Sequence, residues 1–367
     1  PLAQPGPPAP PPPTPPAAAP APQAGPGIRV LGEARTRGEI LRNLDLDGEA
    51  VRTGALGWGD GERALLRVRV GLEALPSEHL AVFAQIQDAR TFGAEPGTAS
   101  AAVPAFFHQG WAELRRPGDL PLSLRVGRME LSYGDERLVG AFGWDNVGRA
   151  FDGARARAEL GEVIADAFFT RLHADPWNDP VRSIGDDFAG LYGRWNASPR
   201  LQLDLYLFGL YDRGGAGRLP GGGELRLFTP GVRVDARPLD GLHLNGEAAL
   251  QFGNRGDQTI AAWAAHAAAD YPFAMPLAPK LLAGWDLASG DADPDDDRWA
   301  TFDNLFPTNH DKYGLIDLAA WKNLNDVFFG AAFAPARTMA LQATVHLLAR
   351  LEDGDTFYRA SGAPLVD

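Results

Sequence analysis

Polar and apolar residues alternate in runs of about ten, broken by clusters of Gly, Pro, Asp and Asn, and this pattern constrains the chain more than any other feature. It is clear in "RALLRVRVGLEAL" (63–75), "HLAVFAQIQDAR" (79–90), "LPLSLRVGRMELSY" (120–133) and "LQLDLYLFGLY" (201–211). It returns in "LFTPGVRVDARPL" (227–239), "LHLNGEAALQFG" (242–253) and "MALQATVHLLARL" (339–351). In 242–253, Leu242, Leu244, Ala248, Leu250 and Phe252 share one parity, and His243, Asn245, Glu247 and Gln251 the other. Side chains of a strand point alternately to its two faces, so one face of each segment is apolar and the other wet.

About sixteen such segments between Ile28 and Leu351 predict a large antiparallel sheet with little helix. The alanine-rich stretch 259–273 would suit a helix by propensity, but it lies between strand-like segments and ends at Tyr271 and Pro272, and is read as a strand. A sheet this wide must close or be covered, because open edges aggregate. Periodicity does not say which face is buried. A soluble sandwich buries the apolar one, whereas a transmembrane barrel turns it to lipid and lines its interior with polar groups.

Three features favour the barrel. Aromatic residues collect near segment ends, as Phe106, Phe107 and Trp111, Trp144, or Phe328 and Phe329, where an interfacial girdle would lie. Short turns alternate with longer polar stretches such as "DADPDDDRW" (291–299). The polar parity is rich in arginine, with Arg125, Arg155, Arg157, Arg194, Arg233 and Arg237, although the net charge is −13. A soluble all-β protein with ordinary solvated faces is the alternative. No apolar run reaches the roughly 18 residues of a transmembrane helix, which leaves a barrel untouched.

With 367 residues, 45% of them hydrophobic and 22% charged, the chain can bury a sizeable core. Its acidity and lack of a Lys/Arg-rich block argue against nucleic acid as partner. Absence of cysteine removes disulfides, thiolate catalysis and thiolate metal sites. Residues 1–27 are about half proline without charge, and read as a polyproline or disordered tether, with a ligand for a proline-reading domain as the alternative. The barrel is expected over 28–367. No secretory signal is visible, and the opening at Pro1 reads as a trimmed chain.

The stretch "RLVGAFGWDNVGRAFDGARARAEL" (137–160) concentrates the chemistry. It holds Arg137, Arg149, Arg155 and Arg157, with Asp145 and Asp152 the only carboxylates before Glu159. Guanidinium groups on a lumen face would give carboxylates bidentate partners. The expected pathway residues are Arg125, Arg128, Arg137, Arg149, Arg155, Arg157, Arg194, Arg233 and Arg237, with acids such as Asp152, Glu159 and Asp204 setting their rotamers. The competing reading is a set of structural ion pairs, Arg149 with Asp152 for example. A one-residue bulge would also turn any of these side chains to the other face. Lys280, Lys312 and Lys322 are weaker candidates, since lysines snorkel at strand ends.

Other chemistries find less support. Asp291, Asp293 and Asp295, followed by Asp296 and Asp297, could hold Ca²⁺ but lack the glycine and glutamate spacing of an EF-hand, so a solvated loop competes. The histidines form no H-x-x-x-H or H-E-x-x-H pair, and no zinc site or other cofactor is expected. Ser123, Ser132, Ser183 and Ser289 lie in no G-x-S-x-G context, so no enzyme activity is expected.

The block "RVGRMELSYGDERLVGAFGWDNVGRAFDGARAR" (125–157) resembles the central stretch of the alginate export family of outer-membrane porins. A second block, 286–327, is similar to that family's SGD, F-x-x-L-F-P-T, H-x-x-Y-G and W-x-N-L elements, here 289–291, 302–308, 310–314 and 321–324. The resemblance covers most of the chain from about Ile28. It implies a monomeric outer-membrane barrel of about 18 antiparallel strands in a Gram-negative bacterium, surrounded by lipid. It further implies a positively charged constriction through which an anionic polysaccharide, alginate-like, diffuses passively. Sixteen visible strands would then leave two missing at a shortened C-terminus, or two weak strands merged in the count. A general anion-selective porin, an exporter of another polymer and a non-channel structural barrel are the alternatives. Periplasmic secretion partners are compatible with this reading, but the sequence carries no mark of one.

Overall fold

The computed structural model describes residues 26–41, 61–92, 105–172, 186–212, 223–293, 295–310, 312–315, 317–336 and 338–364. The expected proline-rich tether therefore lies outside the described residues, apart from Pro26 and Gly27, and so does Ser183.

Among the described residues, sixteen strands form one sheet. They are β1 (Gly27–Leu41), β2 (Gly61–Ser77), β3 (Leu80–Phe92), β4 (Phe106–Arg115), β5 (Leu122–Met129), β6 (Phe151–Leu160), β7 (Val163–Arg171) and β8 (Asp187–Ser198). They continue with β9 (Leu201–Asp212), β10 (Leu225–Leu239), β11 (Leu242–Arg255), β12 (Gln258–Pro272), β13 (Lys280–Ala288), β14 (Arg298–Trp299), β15 (Leu324–Ala336) and β16 (Met339–Ala349). The two-residue β14 pairs in parallel with β12, and the other strands pair antiparallel in chain order. The alanine-rich stretch is β12, as its flanks predict.

Connections differ between the two ends of the sheet. At one end lie tight turns such as 161–162, 199–200 and 240–241, and at the other the long connections such as 130–150 and 289–323. The β11–β12 turn, at Gly256 with φ +56°, is the tight exception at the long end. Among the described residues no pairing joins β1 to β16, and the two edges run in the same direction, so the pairing seen does not include an eighteen-strand closure.

The faces settle what periodicity leaves open. In β9, Leu205 is 65% exposed and Leu207 is also exposed, whereas Asp204, Tyr206, Phe208, Leu210 and Asp212 are buried. In β11, Leu250 and Phe252 are exposed while Glu247 and Gln251 are buried. Aliphatic side chains outside and carboxylates inside is the reverse of a soluble sheet protein, and it is the pattern of a wall facing lipid. No helix among the described residues is long and apolar enough to cross a membrane. Of the aromatics expected at the girdle, Phe107 and Phe329 are exposed. Trp111 is buried beside Phe83, 5.3 Å between rings, and Trp144 belongs to the 130–150 connection.

Two long connections fold over the inner face and carry much of the core. The backbone of 138–140 joins that of 306: Gly140 N–H donates to Phe306 O at 2.9 Å, and Phe306 N–H to Leu138 O at 2.9 Å. Leu131, Tyr133, Leu138, Val139 and Phe306 are buried with wall residues Met129, Phe151, Phe168 and Phe188. The two sequence blocks that resemble one family thus meet inside the sheet. Tyr133 stacks on Tyr192 (4.6 Å) and Phe168 (5.5 Å), so part of the interior is aromatic packing.

Candidate functional site: arginines of the inner face

Strand alternation sets the site. In β1 the odd positions Arg29, Glu33, Arg35, Arg37 and Glu39 share a face with Arg63, Arg67, Arg69 and Glu73 of β2. Arg35 and Arg67 are register partners, and both donate to the carbonyls of Gly143 and Asp145, at 2.7 to 3.0 Å. Arg67 also holds Glu33 at 2.6 Å. Arg69 donates to Val147 O at 3.2 Å, and Arg37 to Trp144 O at 2.6 Å. The Arg37 guanidinium lies 4.2 Å from the Trp144 ring, and His310 stacks on that ring at 4.0 Å. His310 also bonds Asp317 at 3.0 Å, so it fixes a loop, as its place in the second block suggests.

Sequence reading missed this clamp. Its signal was present as arginines of one parity in 29–37 and 63–69. What parity could not show was that their acceptors are carbonyls of a distant turn.

A second cluster spans β4 to β7. Glu113, Arg125 and Arg155 are successive register partners, and Glu113 is approached by Arg115 at 2.7 Å, Arg125 at 2.7 Å and Arg155 at 3.8 Å. Arg125 also lies over the Trp111 ring at 3.8 Å. Arg157 makes a bidentate pair with Asp166 at 2.7 and 2.8 Å. Arg115 also lies 3.9 Å from Glu73, so four guanidinium groups here meet three carboxylates.

A third group runs in register through β8 to β15: Arg194, Asp204, Arg233, Glu247, His266, Asp286 and Asp326. Arg233 contacts Asp135 at 2.6 Å, Asp235 at 3.2 Å and Asp204 at 3.3 Å, and Arg194 reaches Asp204 at 3.2 Å. Arg137, buried, reaches down from the 130–150 connection to Asp286 at 3.0 Å, Tyr313 at 3.2 Å and His266 at 3.2 Å. Burial alone would push the Asp135 carboxyl up, but Arg233 overrides it and holds the group below its ordinary range. Burial likewise opposes the charge on Arg137, and Asp286 overcomes it and keeps the guanidinium protonated. The Tyr313 hydroxyl is pushed far up by burial and the nearby Asp286, so it stays neutral.

The remaining expected residues divide. Arg149 donates to the carbonyls of Gly140 (3.0 Å), Phe306 and Pro307 (3.0 Å). Arg237 is largely exposed at the turn end, 3.6 Å from Asp235. Arg128 and Asp152 pair with each other at 2.7 Å, but on the other face of the sheet. Arg128 shares parity with exposed Leu124 and Val126, and Asp152 with exposed Leu160, whereas Arg125 and Met129 point inward. The structure therefore does not bring Arg128 or Asp152 to the arginine cluster. Lys280 lies 3.8 Å from Asp270, and Lys322 lies 4.4 Å from the Tyr358 ring.

Among the described residues no three His or carboxylate side chains converge as a metal site. Asp291 is buried, which pushes its carboxyl up, and its backbone N–H donates to Asp355 at 3.0 Å. Asp291 and Asp293 accept from the backbone N–H two residues on, at 3.4 and 3.2 Å, as turn-forming aspartates do.

No curated protein matches this chain. Among solved structures it is similar to OccK11 (OpdR) of Pseudomonas aeruginosa, with TM-score 0.52 and 12% identity over 86% of this chain and 77% of that one. It is also similar to Salmonella typhi OmpF in complex with daunomycin, with TM-score 0.50 and 9% identity over 91% and 93% of the two chains. For OccK2 (OpdF) of Pseudomonas aeruginosa in complex with glucuronate the TM-score is 0.50, with 13% identity over 83% and 74%. At these identities the likeness is one of fold, that of the outer-membrane β-barrel porins. The alginate export family matches residues 33–367, nearly the whole described sheet and both interior connections, and the chain belongs to that family.

Proposed function

We propose that this chain is an outer-membrane porin that passes an anionic exopolysaccharide, an alginate-like polyuronate, by passive diffusion along an arginine-lined lumen. The family and the porin fold support a channel or exporter. The observation that carries the finer reading is Glu113, one carboxylate shared by Arg115, Arg125 and Arg155. Guanidinium groups in excess of their acids can exchange that contact for the carboxylates of a polymer with about one charge per sugar, and the shared contact keeps each binding weak enough to release. Arg157, Arg194, Arg233 and Arg137 belong to the same inner face and set its potential more than they bind, because each already has a close carboxylate. No catalytic step and no cofactor is part of this proposal.

A non-channel barrel is the second reading, and a specific observation favours it. Tyr133, Tyr192, Tyr206 and Phe208 stack inside, and most interior arginines are paired.

Single-channel conductance of the purified protein, with and without added polyuronate, separates the readings. Anion-selective conductance blocked reversibly by polyuronate, and weakened in Arg155→Ala, is the expected result. A conducting barrel indifferent to polyuronate would favour a general porin or another polymer. A folded barrel without conductance would sink the transport proposal.

A further inference from the structure

The outer face carries a row of charge of its own. Arg128 of β5, Asp152 of β6, Arg171 of β7, Asp187 of β8, Tyr211 of β9 and Arg226 of β10 are successive register partners. Two ion pairs tie the row sideways, Arg128 to Asp152 at 2.7 Å and Arg171 to Asp187 at 2.7 and 3.2 Å, while Arg226 pairs with Glu224 just before its own strand at 2.8 Å. Arg226 also lies 5.6 Å from the Tyr211 ring. All of these residues sit at the long-connection ends of their strands.

Two residues toward the tight turns, the same face carries exposed Val126, Phe169 and Phe228. Along β8 it continues through exposed Leu191 to exposed Trp195. Trp195 lies eight positions along the strand from Asp187. At about 3.3 Å per residue and a tilt of about 40°, they span roughly 20 Å of depth, close to the apolar band of an outer-membrane barrel. Charge on a lipid-facing wall is costly at mid-depth and nearly free at the interface, so the row marks where hydrocarbon ends. Short turns face the periplasm and long connections the exterior in such barrels, which places the row at the outer leaflet.

We propose that this row is a docking surface for the phosphorylated headgroups of outer-leaflet glycolipids, with Arg171 and Arg226 as the phosphate-binding groups. Both side chains are about half exposed, at 49% and 59%. A guanidinium has five N–H donors in a planar fork. Arg171 gives Nε and Nη2 to Asp187, and Arg226 gives Nη2 to Glu224, so each keeps donors for a phosphate. The alternating acids hold the guanidinium groups at one level and keep the row nearly neutral, which makes the attraction local to the headgroup layer. The proposal rests on the outer-membrane placement and is independent of the transport reading, since its test reads no conductance.

The test is native mass spectrometry of the full chain in detergent, titrated with diphosphoryl lipid A and with its dephosphorylated form. The wild type is expected to retain the phosphorylated form preferentially. The R171A/R226A pair should cut that preference roughly tenfold, and D187N/E224Q should raise it by freeing the guanidinium groups. Equal retention of both forms by the wild type, or an undiminished preference in R171A/R226A, overturns the proposal. Should the alanine pair not fold, R171K/R226K keeps charge and ion pairing but removes the fork. Reduced preference in that variant supports the proposal, and unchanged preference overturns it.

Discussion

Arg233 of β10 and Asp135 of the β5–β6 connection meet at 2.6 Å across the interior. The same guanidinium touches Asp204 of the neighbouring strand at 3.3 Å, so a single side chain fastens an inward connection to the wall.

Replacing Arg233 with alanine removes its guanidinium from Asp135 and leaves fully buried Asp204 with Arg194 as its remaining guanidinium partner among these pairs. Breaking a buried pair costs about 3–5 kcal/mol, here toward the lower end because Arg194 and Tyr192 still reach Asp204. Urea unfolding in detergent should show a lower midpoint. A midpoint equal to wild type would show that the contact holds nothing.

The sign of the Asp135 shift fixes a pH dependence. Its carboxyl is held below its ordinary value of 3.8, so its contribution is fully present above that value and is lost as pH falls through the depressed one. Protease protection of the 130–150 connection should therefore persist at pH 5 and weaken progressively as pH falls below 3.8. Asp135→Asn should lack this part of the protection already at pH 5, converge with the wild type in acid, and so flatten this component of the profile. Equal acid sensitivity in both proteins would place the effect elsewhere.

Arg149 and Arg155 should behave differently although both lie in one stretch of sequence. Arg149 binds carbonyls on both inward connections, so Arg149→Ala should raise current fluctuations by loosening them. Arg155 faces Glu113 beside Arg125, so Arg155→Ala should shift the reversal potential toward cations. Indistinguishable traces from the two variants would contradict these separate roles.

Asn323, fully buried, holds the segment after β16 through four hydrogen bonds. Its side chain donates to Glu352 O and Thr356 O and accepts from the N–H groups of Leu351 and Glu352. Asn323→Ala should cost about 1–3 kcal/mol for each of these groups that stays buried and unpaired. Limited proteolysis should then cut within 350–364 first; uniform resistance would argue against this anchor.

Gly127 adopts φ +128°, and a Cβ there would lie 2.2 Å from Gly110 O. Gly127→Ala forces β4 and β5 apart beside Glu113 and Arg125, and should lower the yield of refolded barrel well below that of Gly32→Ala, where the space is open. Matching yields would show that the strands can part without loss.

The sheet and the split of each strand into a polar and an apolar face were legible because strand side chains alternate strictly, a pattern that needs no partner to read, whereas which face lies inside was decided by the structure. The same rule already separated Arg125 from Arg128, whose parities differ, and a regular strand cannot turn both inward. The structure sets Arg128 with Asp152 on the lipid side, so the expectation of Arg128 in the lumen fails on its register. The sequence also held both interior blocks, but nothing in it joined residue 140 to residue 306. Only the tertiary structure decided which acid or carbonyl each guanidinium meets, as with Arg137 and Asp286, 149 positions apart. Alternation is a property of neighbours along the chain, whereas ion pairing is a property of distance in space, and a curled sheet brings together residues that no local pattern relates.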